Sequence, residues 1–305
     1  MAERMDTYMQ NPHRSYKARC LQTLALTFSC AIIILLLPIK SLATINIIAA
    51  ENFYGSIAQQ LGGKYVSTDS ILQNPNEDPH TFSADPSVAK KIAEADIVVY
   101  NGLGYDEWMK RLLSTKGKKG RQIIIVSELI GASNGENPHI WYEPSTMQVY
   151  ANALSQKLIQ LDPIHESYYE LQLLHFHHEQ QAFMGYIKYL KQQLAGTPVT
   201  ATEPLFNYMA TALGLKVLNI GFQMSMMNEM PPSPSEIKQM LSDLQSHRVK
   251  LLIYNTQTTD PTTENIKDKA RENKIPVIGV TETQPPNMSY YEWMHSQLTQ
   301  IAGAL

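Results

Sequence analysis

The sequence has 305 residues, of which 44% are hydrophobic and 17% are charged, and its formal net charge is −3. This composition excludes a disordered chain and predicts a globular protein with a sizeable core. The slightly acidic balance argues against a nucleic-acid partner, because binding to phosphates needs a basic face.

The first 43 residues have the composition of an export signal. Basic residues precede an apolar run over residues 24–37, and Ser41-Leu42-Ala43 offers the small residues that a signal peptidase reads. We therefore expect cleavage after Ala43 and export to the periplasm. The alternative is an uncleaved membrane anchor, since the apolar run is near the lower length limit of a membrane span.

Both cysteines lie in this predicted signal, at Cys20 and Cys30. A mature chain beginning at Thr44 would therefore have no disulfide and no thiolate ligand. Cys30 stands inside the apolar run and does not end it, whereas a lipid-attachment cysteine normally ends such a run. A signal without lipidation is typical of a Gram-negative periplasmic protein.

After the signal, short apolar strands alternate with amphipathic helices. Asp85-Pro86 has the form of an N-cap followed by proline in the first helical turn. Apolar residues at helical spacing predict another helix over residues 147–161. The strands predicted in this first half are 45–49, 97–100 and 123–126. The alternation indicates βαβ units and a mostly parallel sheet.

The stretch from Glu166 to Leu194 contains no proline and one glycine. It predicts a single helix that is longer than the average globular helix and would act as a rigid connector. The alternation then restarts, with predicted strands at 199–201, 217–220, 251–254 and 277–280, and predicted helices at 233–246, 262–273 and 290–302.

These elements predict an α/β fold of two lobes with mostly parallel sheets, joined by one long rigid helix. The predicted divisions are a signal at 1–43, an N-terminal lobe at 44–165, a connecting helix at 166–195 and a C-terminal lobe at 196–305. Ligands of such folds bind at the carboxyl ends of the strands, so the cleft between the lobes is the expected site.

Two histidines and two glutamates stand where a metal ligand would be expected. His80 and His139 each follow a proline in a loop, and imidazole is a common ligand of transition metals. Glu203 and Glu282 each follow a predicted strand. Taken singly, each residue fits a hydrogen-bonded or solvated side chain better than a metal ligand. Two Pro-His loops in one half make a ligand role as good an explanation of the histidines as a structural one.

Four segments carry a resemblance to a known family. The metal-specific substrate-binding proteins of zinc and manganese ABC importers are similar at Asp-Pro-His-Thr-Phe (78–82), Asn-Gly-Leu-Gly (101–104), Pro-His-Ile-Trp-Tyr-Glu-Pro (138–144) and Glu-Pro-Leu-Phe-Asn-Tyr-Met-Ala (203–210). The resemblance covers nearly all of the chain after the signal.

The resemblance implies one metal ion in the cleft, with two ligands from each lobe. Carried over by position, these ligands are His80, His139, Glu203 and Glu282. The family usually has aspartate at the fourth position, so Glu282 departs from its pattern and Asp260 is an alternative.

The implied function is a periplasmic subunit that captures Mn²⁺ or Zn²⁺, with Fe²⁺ as a further candidate, and delivers the ion to an ABC permease in the inner membrane. We expect a monomer and no enzymatic activity. Carboxylate ligands favour manganese or ferrous iron, yet zinc generally binds the same ligands more tightly than manganese, so the sequence does not select the ion.

Two other functions stay open on the sequence alone. A metal-stabilised adhesin or surface-binding protein would use the ion only for stability. A metallohydrolase would need an open coordination position and a nearby general base, and the sequence lacks the helical His-Glu-x-x-His motif of zinc proteases.

Overall fold

Two four-stranded parallel sheets organise the chain. The structure is a computed structural model, and it describes residues 44–75, 82–114, 116–133 and 135–305. Thr44–Leu305 forms one compact unit. The predicted signal and the expected ligand His80 lie outside the described residues. The strands are β1 Ile45–Glu51, β2 Val66–Leu72, β3 Ile97–Tyr100, β4 Gln122–Ile125, β5 Pro198–Ala201, β6 Lys216–Val217, β7 Leu252–Asn255 and β8 Val277–Val280.

The two sheets have the same topology. Their strand orders are β2-β1-β3-β4 and β6-β5-β7-β8, and every pairing is parallel. In each sheet the direction of winding reverses beside the first strand, between β1 and β3 and between β5 and β7. A crevice opens at such a reversal, at the carboxyl ends of the strands, and this is where open α/β sheets bind ligands.

Helices connect the parallel strands, as such crossovers require. Among the described residues they are α1 Asn52–Gly62, α2 Pro86–Glu94, α3 Glu107–Leu113, α4 Val126–Leu129, α5 Thr146–Leu161, α6 Glu166–Leu194, α7 Asn207–Ala212, α8 Ile220–Met227, α9 Pro234–Gln245, α10 Pro261–Glu272 and α11 Tyr290–Ala304. Within the described ranges, no helix is both long enough and apolar enough to cross a lipid bilayer.

Most of the predicted elements are confirmed to within two residues, but the strand predicted at 217–220 is wrong beyond its first residue. The strand β6 ends at Val217, and Asn219 adopts a left-handed conformation with φ 60° immediately before helix α8. Asparagine tolerates this conformation better than most residues, so it ends the extended segment.

The long helix α6 is confirmed with the predicted bounds, Glu166–Leu194. It packs against α1 and α5 of the N-terminal half and against α11 of the C-terminal half. Its buried Gln180 donates a hydrogen bond to the carbonyl of Pro144 (2.8 Å) and accepts one from the hydroxyl of Tyr291 (2.5 Å). The helix is therefore tied to both halves of the chain.

A shared aromatic core also joins the two halves. Phe53 stacks on Trp141 and on Trp293, with ring centroids 4.8 Å and 6.0 Å apart, and all three side chains are fully buried. Tyr142 packs edge-on against Phe206 at 5.4 Å. These rings come from both sequence halves, so apolar burial holds the two sheets in one unit.

Candidate metal site

The carboxylates of Glu203 and Glu282 are brought together by one amide. Asn255, the last residue of β7, directs its Nδ2 to Glu203 Oε2 at 3.2 Å and to Glu282 Oε1 at 2.5 Å. Both glutamates are buried, and they follow β5 and β8, the strands on either side of β7. The parallel sheet thus places side chains 79 positions apart in sequence at one edge.

The loop after β7 holds the backbone on which Glu282 stands. Gln257 Oε1 accepts hydrogen bonds from the backbone N–H groups of Glu282 (2.6 Å) and Thr283 (3.1 Å). Gln257 is itself placed by a bond from its own N–H to Asn255 Oδ1 (3.0 Å). A short polar loop therefore fixes both the side chain and the main chain at this position.

The N-terminal half contributes a phenol to the same carboxylate. The hydroxyl of Tyr105 donates a hydrogen bond to Glu282 Oε2 at 2.6 Å. Burial raises the pKa of Tyr105 well above its usual range, and the negative charge of Glu282 raises it further. The phenol is therefore a neutral donor at physiological pH.

The ring of His139 is held in one orientation by Asn137. Asn137 Oδ1 lies 2.6 Å from His139 Nδ1 and also accepts the backbone N–H of His139 at 3.1 Å. Because that oxygen is an acceptor, the hydrogen of the neutral imidazole is placed on Nδ1 and its lone pair on Nε2. Nε2 of a buried imidazole held in this way is a suitable metal-binding atom.

Asn137 also connects this histidine to the segment that carries Glu203. Its Nδ2 donates to the carbonyl of Pro204 at 2.7 Å, and its own carbonyl accepts a bond from the hydroxyl of Tyr208 at 2.9 Å. The loop of His139 and the loop of Glu203 therefore meet across the boundary between the two halves.

The aromatic residues around His139 link it to the carboxylate end of the site. The ring of Trp141 lies 5.2 Å from the ring of His139 and 4.9 Å from the ring of Tyr105, both edge-on. His139 and Tyr105 themselves are 6.1 Å apart. His139 is thus connected to Glu282 through the ring of Tyr105, whose hydroxyl contacts that carboxylate.

Other predicted residues have different surroundings. Asp260, the alternative to Glu282, caps helix α10 by accepting the backbone N–H groups of Thr262 (2.8 Å) and Thr263 (3.0 Å) through one oxygen. With His80 outside the described residues, no group of three histidine, cysteine, aspartate or glutamate side chains in the described part of the chain has the arrangement of a metal centre.

A second pair of carboxyl groups is buried nearby in the N-terminal half. Glu51 ends β1 and is fully buried, and Asp106 is 1% exposed. Burial raises the pKa of Glu51 well above its usual range, and the negative charge of Asp106 raises it further. Burial also raises the pKa of Asp106 to about 6, although the N–H groups of Gly102 and Asn101 lower it.

The two carboxyl groups interact, since each affects the pKa of the other. Among the described residues no N–H or O–H group donates to the carboxyl of Glu51, and no lysine or arginine pairs with either carboxyl. Two buried carboxyl groups without a basic partner favour a state in which one of them keeps its proton. The strongly raised pKa of Glu51 makes it the protonated partner.

Sequence analysis did not identify Asn255, Tyr105, Asn137 or Gln257 as members of the site. A partial signal was present, because Asn255 directly follows a predicted strand and Tyr105 follows another by a few residues, as the predicted glutamate ligands do. Nothing in the local sequence indicates which distant side chain each of them contacts.

This arrangement defines a class: a two-lobed α/β binding protein, with a long helix between its lobes and with polar residues converging from the strand ends of both halves. The profile of the ZnuA family, described as zinc-uptake complex component A, periplasmic, matches residues 47–304, and the chain belongs to this family. It is a family of substrate-binding components of metal transport and not of enzymes.

Curated relatives match over most of their length. The metal ABC transporter substrate-binding lipoprotein ScbA of Streptococcus cristatus is 24% identical over 282 residues, which cover 86% of this chain and 89% of that protein. The manganese ABC transporter substrate-binding lipoprotein PsaA of Streptococcus anginosus is 23% identical over 285 residues, with the same coverage.

Solved structures share the fold. The periplasmic zinc-binding protein TroA from Treponema pallidum superposes with a TM-score of 0.73 at 16% identity, over 86% of this chain and 99% of that one. A manganese-bound periplasmic metal-binding protein from Candidatus Liberibacter asiaticus gives 0.70 at 21% identity, over 85% and 99%. The predicted family, fold class and transport role are thereby confirmed.

Proposed function

We propose that the protein captures one divalent metal ion, Mn²⁺ or Zn²⁺ with Fe²⁺ as a further candidate, and delivers it to an ABC permease in the inner membrane. The proposed ligands are His80, His139, Glu203 and Glu282. The meeting of Glu203 and Glu282 at the amide of Asn255 carries this proposal, because two buried carboxylates repel each other and a bound divalent cation would offset that repulsion.

A divalent ion would balance the charge of these two carboxylates. His139 supports the same site, since its Nδ1 is held by Asn137 and its lone pair lies on Nε2. His80 would supply the second nitrogen. We favour Glu282 over Asp260 as the fourth ligand, because Asp260 already caps a helix whereas the side chain of Glu282 lies beside Glu203.

The donor set of two nitrogens and two oxygens, without sulfur, suits manganese, ferrous iron and zinc. The similar proteins do not select among these ions either, since they include one named for manganese and one named for zinc. Ligand protonation competes with the metal, so we expect affinity to fall at acid pH whichever ion is bound.

We further propose that residues 44–165 and 196–305 act as the two lobes and that residues 166–195 restrain their relative motion. The protein would work as a monomer in the periplasm after cleavage behind Ala43. Because the relatives are named as lipoproteins, the processing of the N-terminus needs a direct test. The intact mass of the mature protein, measured in the soluble and membrane fractions, distinguishes a cleaved signal from an uncleaved anchor and from a lipid-modified cysteine.

Residues 44–305, freed of metal, should bind one equivalent of ion in competition with a chromophoric chelator, and titration with Mn²⁺, Zn²⁺ and Fe²⁺ would rank the ions. His139→Ala and Glu203→Ala should each lose most of this affinity. His178→Ala is the matched control, because His178 is an exposed histidine of helix α6. Unchanged affinity in both site variants, or no stoichiometric binding by the wild type, would overturn the proposal.

A further inference from the structure

The hydroxyl of Tyr105 connects the two halves of the protein at a proposed metal ligand. It donates a hydrogen bond of 2.6 Å to Glu282 Oε2, between residues 177 positions apart in sequence. Glu282 is fully buried and Tyr105 is 7% exposed. The bond is therefore shielded from competing water, which strengthens it and makes its loss costly.

The backbone before Tyr105 is shaped to present this ring. Gly102, Leu103 and Gly104 all have positive φ, at 83°, 57° and 83°. Leucine is disfavoured in this left-handed region, so the surrounding structure must impose the conformation. The turn is closed by a hydrogen bond from the N–H of Tyr105 to the carbonyl of Gly102 (3.1 Å).

A buried carboxylate anchors the same turn. Asp106 accepts the backbone N–H groups of Asn101 (2.6 Å) and Gly102 (2.9 Å), which connects the end of strand β3 to the turn. The ring of Tyr105 then packs edge-on against Trp141 at 4.9 Å. Main chain and side chain are thus both fixed, and the hydroxyl is aimed at one point.

The carboxylate of Glu282 is held by one donor from each half. Tyr105 binds Oε2 from the N-terminal half, and Asn255 binds Oε1 from the C-terminal half. Glutamate has one more rotatable bond than aspartate, and each restraint removes part of that freedom. These two donors are neutral, so neither of them cancels the negative charge that attracts a cation.

We infer that Tyr105 is a positioning residue for Glu282, which orients the carboxylate toward the ion and makes retention of the ion depend on the two halves staying together. The inference rests on the proposed function. A hydrogen bond of 2.6 Å is lost when its partners separate by about 1 Å. Separation of the halves during delivery would therefore release Glu282 and weaken the hold on the ion.

A second bond between the halves provides the comparison. The hydroxyl of Tyr208 donates to the carbonyl of Asn137 at 2.9 Å, so it also crosses the boundary, but among the described residues it contacts no proposed ligand. Tyr208→Phe removes one hydroxyl between the halves, as Tyr105→Phe does. Tyr186→Phe is a remote control, because the hydroxyl of Tyr186 contacts Thr299 on the last helix.

The experiment measures dissociation of Mn²⁺ and Zn²⁺ from residues 44–305 by stopped-flow mixing with excess chelator. We expect Tyr105→Phe to raise the dissociation rate by roughly 10-fold or more, in the range of other residues that orient metal ligands. Tyr208→Phe should raise it less, and Tyr186→Phe should match the wild type. The visible spectrum of bound Co²⁺ should change in Tyr105→Phe alone, since only there is a proposed ligand released.

Three results separate the possibilities. If the wild type binds no stoichiometric ion, the proposed function itself fails. If the wild type binds and Tyr105→Phe dissociates within twofold of it with the same Co²⁺ spectrum, the positioning role is wrong and the site stands. If Tyr105→Phe and Tyr208→Phe raise the dissociation rate equally and leave the Co²⁺ spectrum unchanged, the positioning role is also wrong. Both hydroxyls would then act only by joining the two halves.

Discussion

Replacing Glu51 with glutamine should stabilise the protein at neutral pH and leave its stability nearly unchanged at pH 4. The pKa of Glu51 is raised well above its usual range by burial, and then by Asp106. The folded protein therefore keeps a proton that the unfolded chain releases as the pH rises past about 4.3, the ordinary pKa of glutamate. The stability of the wild type therefore falls as the pH rises above that value, because the unfolded state then binds fewer protons than the folded state.

Glutamine has no proton to release, and its amide N–H can donate to a nearby carboxylate without adding charge. Each unit of raised pKa corresponds to ~1.4 kcal/mol. Glu51→Gln should therefore gain stability over the wild type between pH 4 and pH 7, in proportion to the amount by which burial and Asp106 raise the pKa of Glu51.

Urea unfolding of residues 44–305 at pH 4, 5, 6 and 7, with chelator present to exclude metal, measures this difference directly. Glu128→Gln is the matched control, since it makes the same replacement at an exposed position. A variant that is less stable than the wild type at pH 7 would refute the reasoning, because Glu51 would then be ionised and stabilising in the folded protein.

Three further changes test the site and the core. Asn137→Ala should lower metal affinity by roughly 10–100-fold without loss of folding, because His139 Nδ1 loses its acceptor; competition titration and an unfolding curve would show both. Phe53→Ala should lower the free energy of unfolding by about 3–5 kcal/mol, since it removes the ring stacked on Trp141 and Trp293, and a smaller loss in urea would show that the core refills. Ser233→Ala should cost about 1 kcal/mol in the same assay by removing the capping box of helix α9, and no loss would mean that the cap is replaced by water.

Much of the fold is encoded in local patterns that the sequence displays. The connector helix Glu166–Leu194 is recognisable from its helix-forming residues and its lack of proline, and the structure gives it the same bounds. Asp85 does cap helix α2, by accepting the backbone N–H groups of Ser87 and Val88, and Pro86 follows in the first turn. Such signals are reliable because the chemistry that ends or begins a helix acts within a few residues.

Other elements have no such signal. Strand β2, Val66–Leu72, was not predicted, because its middle residues are mostly polar and its sheet edge leaves them partly exposed. Strand β6 has only two residues, Lys216–Val217, and their extended conformation depends on pairing with β5. These strands form through contacts with distant strands, and periodicity within the chain does not record those contacts.

The same limit explains what the sequence reveals of the site. Position after a strand identifies Glu203 and Glu282 as candidates, because parallel strands place their carboxyl ends together, and a Pro-His loop identifies His139. The side chains that hold them come from elsewhere in the chain: Tyr105 lies 177 residues from Glu282. A motif can therefore indicate ligands, while the hydrogen bonds that orient them require the folded structure.

Asn255 shows why those partners matter for the proposed metal site. It stands on the strand between those of Glu203 and Glu282, so one amide reaches both carboxylates. An acid at this position would add a third negative charge, and a basic residue would neutralise the charge that the ion needs. A neutral donor avoids both effects, since it restrains the carboxylates and leaves their charge for the metal. A change at Asn255 therefore alters both carboxylates at once, whereas a change at Tyr105 or Asn137 acts on a single proposed ligand.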